Sequence, residues 1–204
     1  MILTSELLSQ FAWLEHGFGT RLAQIDQTSM ASLKQIHSDR VLTASRPGLA
    51  GEGDALVASP GVPVSIRTAD CFPVLIVDKR TRAVSAVHAG WRGTAKEIVR
   101  KAVAAMREQF GAQPEDIYAV IGPGIGACCY EVGEDVAREF GRTRAGHLDL
   151  LTLNRRQLLL EGIPGEQIDA VGGCTYCEHE LFHSYRRDKD HAGRMISYIG
   201  SKNS

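Results

Sequence analysis

The chain has 204 residues, of which 44% are hydrophobic and 23% charged, with a formal net charge of −1. That balance fits a folded globular protein and argues against a disordered or fibrous chain. The near-neutral charge, with no basic run, argues against nucleic acid or an anionic membrane as partner, so small-molecule chemistry is expected.

In chain order, short β-branched runs bounded by turn residues predict strands at 64–67, 74–78, 83–88, 117–121 and 168–171. Ile98, Val99, Ala102, Val103, Met106 and Phe110 fall at helical spacing. They predict a helix over 95–110, capped by Thr94 and ended by Gly111. Shorter helices are predicted over 134–140 and 150–161, the latter stopped by Gly162 and Pro164. Strands come partly in hairpins and partly separated by helices, which predicts a mixed α+β class. No repeat and no long linker divides the chain. No window approaches the roughly 20 apolar residues of a membrane span. The opening MILTSELLSQFAW lacks the basic-then-apolar course of an export signal. The five cysteines, Cys71, Cys128, Cys129, Cys174 and Cys177, are therefore expected as thiols or ligands in a reducing, cytoplasmic compartment.

Two of the predicted strands are joined by Lys79-Arg80-Thr81-Arg82, a polar stretch suited to a hairpin turn. Pairing Asp78 with Thr81 or Arg82 carries Cys71 opposite His88 or Ala89. Opposed residues on antiparallel strands share a face, with Cβ atoms roughly 5 Å apart, so that a thiolate and an imidazole can converge on one ion. A third donor must come from elsewhere, and His37 in KQIHSDRV is the best candidate. Three protein donors with one open position is the pattern of a catalytic rather than a structural zinc site. The same residues also suit a buried thiol, a hydrogen-bonded core histidine and a surface histidine, and spacing alone leaves both readings open.

KQIHS, GDALVAS, RTADCFPVLIVD, VHAGWRGT, IGPGIGACCYEVG and SYRRD with a final GR follow one another in order. On these motifs the chain resembles the YfiH-type family, also described as multicopper polyphenol oxidoreductases or DUF152, over nearly its whole length. The resemblance implies one domain over residues 1–204 with an α+β fold, a layered α/β/β/α-type sandwich with mixed sheets. It implies a Cys-His-His zinc site that maps onto Cys71, His37 and His88. It also implies purine nucleoside chemistry: phosphorolysis of adenosine, inosine and methylthioadenosine, together with adenosine deamination. Older family labels imply a copper-dependent polyphenol oxidase (laccase), and some members imply peptidoglycan precursor editing. Against copper, this chain has seven histidines and no His-x-His pair, while thiolate plus imidazole suits zinc. In one respect the chain departs from the family pattern. After HGFGTR at 16–21, a short connection replaces a longer Gly-rich stretch with an LN element.

Arg67 and Arg92 are the candidate partners for phosphate or a developing oxyanion, since a guanidinium fork binds such oxygens at two points. They suit equally well as structural partners of Asp54, Asp70 or Asp78. Asp70 is a candidate to orient His37 or His88, or to shape a turn. The run from Gly122 to Gly126 lacks the spacing of a phosphate loop and is expected to let the backbone pass close to the site. One of Cys128 and Cys129 could line the pocket, with packing the more ordinary role, and Trp91 could anchor the core or stack a purine. Cys174-Thr-Tyr-Cys177-Glu-His179, with His183 beyond, resembles half of a metal cluster, but no second pair stands at finger spacing. Packing rather than a second metal is expected there. Arg186 and Arg187 are candidates to close the pocket, or to pair with Asp188 and Asp190.

Overall fold

A computed structural model describes residues 1–202. Its elements, in order, are β1 (Ile2–Leu3), α1 (Glu6–Ser9), β2 (Leu14–Gly19), β3 (Ala31–Lys34), β4 (Val41–Ala44), β5 (Gly48–Glu52), β6 (Ala55–Ala58), β7 (Val64–Thr68), β8 (Phe72–Asp78), β9 (Val84–Ala89), α2 (Trp91–Ala95), α3 (Ile98–Phe110), β10 (Ile117–Ile121), β11 (Glu131–Val132), α4 (Glu134–Glu139), β12 (Gly146–His147), α5 (Leu150–Leu160), β13 (Ile168–Ala170), α6 (Tyr185–Asp188) and β14 (Met195–Ser201). Two six-stranded mixed sheets result, ordered β1-β2-β14-β7-β3-β5 and β13-β10-β8-β9-β6-β4. This is the α+β sandwich with mixed sheets that the sequence led us to expect.

Every residue of β8 and β9 is buried, because the second sheet is covered on both faces. Alternation then sorts the side chains. Phe72, Val74 and Ile76 join a core beneath α3 and α5, whereas Leu75 and Val77 join a second core between the sheets with Phe18, Val64, Ile66 and Ile199. The same alternation sends Ala86 and Leu56 between the sheets and Val87 and Ala55 toward the helices. Fully burying a side chain such as Leu75 stabilises by about 1.5–3 kcal/mol.

The helix predicted over 95–110 is two helices. Glu97 has φ 59, a left-handed conformation that breaks the backbone before Ile98, and α2 precedes the break. Gly111 ends α3 with φ 67, as expected. Thr94 does not cap it: its hydroxyl donates to Asn154 Oδ1 at 3.1 Å, and its carbonyl accepts from Gln157 Nε2 at 2.8 Å, tying α2 to α5.

The hairpin register also departs from expectation. Phe72 faces Ala89 and Pro73 faces His88, which brings Cys71 level with Gly90. All four residues from Lys79 to Arg82 form the turn, with Asp78 Oδ1 accepting from Arg80 and Thr81 N–H. Relative to a Cys71–His88 pairing the slip is two residues, which preserves the face, and relative to the Cys71–Ala89 alternative it is one, which would reverse it. Cys71 and His88 thus remain diagonal neighbours on the inter-sheet side, still within side-chain reach.

Candidate active site

The chain leaves the first sheet at Thr68 and enters the second at Phe72, so residues 69–71 cross between the sheets. Asp70, at φ 84, makes the turn that presents Cys71. Opposite it stands Gly90, where a Cβ would come within 2.8 Å of the Cys71 Sγ, so glycine is required to leave room for the thiol. His88 lies at the end of β9, 4% exposed. His37 sits on the loop after β3 at φ 57, its ring centroid 4.9 Å from that of His88. The donor atoms of His37, Cys71 and His88 all lie within 4.8 Å of one another.

One carboxylate arranges two of these three residues. Asp54, fully buried at the start of β6, accepts His88 Nδ1 at 2.8 Å, which turns Nε2 toward the thiol. It also accepts the backbone N–H groups of Ile36, His37 and Ser38 at 3.3, 3.0 and 2.6 Å, and the Ser38 hydroxyl at 2.7 Å. The role expected of Asp70 thus falls to Asp54. Asp70 instead accepts the Thr175 hydroxyl at 2.7 Å and the Arg186 N–H at 2.6 Å, joining the crossover to two distant segments.

The electrostatics follow from burial and these contacts. Burial pushes the Asp54 pKa up, but hydrogen bonds from His88 and Ser38 outweigh it and hold the carboxyl at about 2. Burial likewise opposes ionisation of Cys71, yet the charge of His88 and bonds from His37 and His88 bring its thiol down to about 6. Burial favours neutral His88, and the Cys71 and Asp54 charges overcome it, raising the ring to about 9. At neutral pH the pair is therefore a thiolate beside a protonated His88, and a metal ion would take the place of the proton on Nε2. Two imidazoles with one thiolate form a borderline-soft donor set suited to zinc, and the Asp54–His88 bond is the carboxylate–histidine arrangement that supports such a ligand.

The three donors line a cavity of about 990 Å³. Its rim and walls carry Lys34, Arg67, Arg92, Arg186, Lys189 and Arg194, against the single carboxylate of Asp70. Arg67 and Arg92 enter no ion pair among the described residues, so the pairings with Asp54, Asp70 or Asp78 are not formed. The Arg92 guanidinium lies 4.3 Å over the Trp91 ring, and Arg186 lies 5.2 Å over Tyr130. Trp91 and Tyr130 both line the cavity, with Leu33, Ile125 and Leu150 as its apolar part. Of the SYRRD pair, Arg186 faces the cavity. Arg187 binds Asp188 and the carbonyls of Thr175, Tyr176 and Phe182.

Gly122–Gly126 passes close behind the site: a Cβ on Gly124 would stand 2.6 Å from the Phe72 ring, and the Ile125 N–H donates to the Asp70 carbonyl at 2.8 Å. Neither Cys128 nor Cys129 lines the cavity; they lie with Cys174 and Cys177. Among the described residues, none of 22–30, the shortened connection, lines it either.

Residues 18–202 match the family model described as "Multi-copper polyphenol oxidoreductase laccase". The chain belongs to this family. A relative from Deinococcus radiodurans named purine nucleoside phosphorylase is 44% identical over 181 residues, covering 83% of this chain and 69% of that protein. The match to a like-named protein of Bacteroides thetaiotaomicron spans 60% of its length, at 41% identity and 72% of this chain. The protein named adenosine deaminase RL5, from an unknown prokaryotic organism, is 34% identical over 87% of this chain and 77% of its own. Among solved structures of the family's fold, Bacillus licheniformis YfiH superposes with a TM-score of 0.89 at 29% identity, covering 98% of this chain and 96% of that one.

Proposed function

We propose that this family member is a zinc-dependent purine nucleoside enzyme. It cleaves adenosine, inosine and methylthioadenosine with phosphate to give the base and ribose 1-phosphate, and it deaminates adenosine. The observation that carries this reading is the meeting of a Cys-His-His donor set with an excess of cationic side chains in one cavity. Relatives named purine nucleoside phosphorylase and adenosine deaminase support it.

In phosphorolysis a phosphate oxygen attacks the anomeric carbon, the glycosidic C–N bond breaks, and the purine leaves with the electron pair and takes up a proton. Arg67 and Arg92 hold the phosphate and offset charge as it develops. Leu33, Ile125 and Leu150 provide apolar surface for the base, while the stacked pairs Arg92–Trp91 and Arg186–Tyr130 keep two guanidiniums fixed at the wall. Asp54 holds His88 in the tautomer that presents Nε2. Zinc, if bound, would be held by His37, Cys71 and His88 and would supply a Lewis acid at this end of the cavity.

Metal-quantified protein incubated with adenosine, with and without phosphate, tests the proposal. Adenine and ribose 1-phosphate are expected only with phosphate, and inosine in either case. Arg67→Ala and Arg92→Ala should each cut phosphorolysis on the order of 10²–10³-fold with metal content unchanged. A zinc-loaded protein that turns over neither route, or that acts on a cell-wall amino-acid conjugate, overturns the reading. So does a protein that takes up copper and oxidises phenols with oxygen. Unchanged metal content in Cys71→Ala overturns the ligand set.

A further inference from the structure

A second group of thiols lies outside the cavity. Cys128 and Cys129 occupy the turn after Gly126, and Cys174 and Cys177 the turn after Gly173. These segments are far apart in sequence, yet all four sulfurs lie within 4.8 Å of one another. Cys128 Sγ is 3.8 Å and Cys129 Sγ 3.3 Å from Cys177 Sγ. Tetrahedral zinc bound by four thiolates at about 2.3 Å spaces its sulfurs about 3.8 Å apart.

Packing does not account for the cluster. Cys129 and Cys174 touch the hydrophobic core, but Cys128 and Cys177 are exposed. The turns are built to aim the thiols together. Cys129 and Tyr130 N–H both donate to the Gly126 carbonyl at 2.9 Å, curling the chain so that neighbouring cysteines face one way. Glu178 N–H donates to the Cys174 carbonyl at 3.0 Å, closing the other turn. The Gly126 N–H donates to Cys174 Sγ at 3.2 Å, a bond that favours a thiolate. A bridge between Gly124 and Cys174 holds the two segments in register.

We propose that Cys128, Cys129, Cys174 and Cys177 form a second, structural metal site that binds one zinc ion. Four thiolates close the coordination sphere and leave no position for substrate, in contrast to the three-donor site of the cavity. A disulfide between Cys129 and Cys177 would use two of the thiols and leave two without a role. The metal site uses all four. Its place in the fold gives it a purpose. One segment delivers Ile125 and Tyr130 to the cavity, and the other delivers Thr175 to Asp70 beside Cys71. Zinc would clamp these segments and so brace the cavity wall from behind.

The test compares two variants of the full chain, reduced, loaded with zinc, desalted and quantified for metal. The site in the cavity is removed in Cys71→Ala/His88→Ala and the cluster in Cys174→Ser/Cys177→Ser. Each is expected to hold one zinc fewer than the wild type. Cobalt substituted into the first variant should show the intense thiolate-to-metal charge-transfer absorption of an all-sulfur site. Cys128→Ser, an exposed and milder change, should lower zinc retention against a chelator while circular dichroism stays native. Undiminished zinc in Cys174→Ser/Cys177→Ser, or a folded Cys71→Ala/His88→Ala protein that holds none, overturns the proposal. So does a protein purified two mass units light with a Cys129–Cys177 disulfide whose reduced, reloaded form takes up no second zinc. None of these outcomes depends on nucleoside turnover.

Discussion

At the scale of single residues, Asp54 has the widest reach. It is a buried anion with five hydrogen-bond partners, and it serves both the loop of His37 and the ring of His88. Asp54→Asn keeps the shape but replaces one acceptor oxygen by a donor, which meets either His88 Nδ1–H and the His37 N–H or the Ile36 and Ser38 N–H groups. Zinc affinity of the cavity site should fall about 10–100-fold, measured by competition with a chelator. The meeting of these three side chains was expected for different reasons. Cys71 and His88 follow from strand alternation only in the first of the two registers left open, which is two residues out and keeps parity; the second, with Cys71 opposite Ala89, is one residue out and puts them on opposite faces. His37 rested on its motif, since nothing in local periodicity marks a loop residue at φ 57. Asp54 was singled out only as an arginine partner. The signal was nevertheless present: an acidic residue directly before the apolar run 55–58 must be buried with that strand, and a buried carboxylate needs several donors.

At the scale of elements, four strands of the second sheet, β8, β9, β10 and β13, were legible as short apolar, β-branched runs, whereas β4 and β6 of the same sheet were not predicted. β8 and β9 were found nearly whole. Of the first sheet only β7 was predicted, at 64–67. β2 reads Leu-Glu-His-Gly-Phe-Gly and β5 Gly-Leu-Ala-Gly-Glu, with too many glycine and polar positions to resemble strands. They are strands because their partners, not their own propensities, hold them. The break between α2 and α3 escaped for a related reason, since apolar spacing continues across one left-handed residue. The seam between α2 and α5 depends on a buried polar pair. Asn154→Ala should leave the Thr94 hydroxyl unpaired and open a small gap, lowering unfolding free energy by about 1–3 kcal/mol in urea titrations. His16 in β2 provides a second test. It is 5% exposed and its Nε2 accepts the Ser5 N–H at 2.9 Å. Burial holds its pKa below the ordinary 6.5. Above that pH the ring is neutral in both folded and unfolded chains. As pH falls below it the unfolded chain takes up the proton first, so stability declines until the lower folded value is passed. Urea midpoints should therefore drop as pH falls through the ordinary histidine value of 6.5, and His16→Gln should flatten part of that slope.

At the scale of the whole molecule, the cavity lies at the end of a sandwich whose two layers have separate hydrogen-bond ladders. Arg67 belongs to the first layer, His88 to the second, and Cys71 to the short crossover between them. A substrate anion gripped by Arg67 and placed against the metal donors would tie one ladder to the other. Amide hydrogen exchange should then slow in β7 and in β8–β9 together when phosphate and nucleoside bind, by mass spectrometry of the zinc-loaded protein. Slowing confined to one layer would place the ligand elsewhere. The crossover has a further consequence. Because only residues 69–71 separate Arg67 and Thr68 from Phe72, the spacing between Arg67 and the Cys71–His88 pair is set by how far apart the two layers sit. If Arg67 holds the phosphate as proposed, the site would work as a caliper on the inter-sheet core. Shaving Leu75 or Ile66, each far from any reacting atom, should alter the phosphate KM as a change of gauge rather than a change of chemistry.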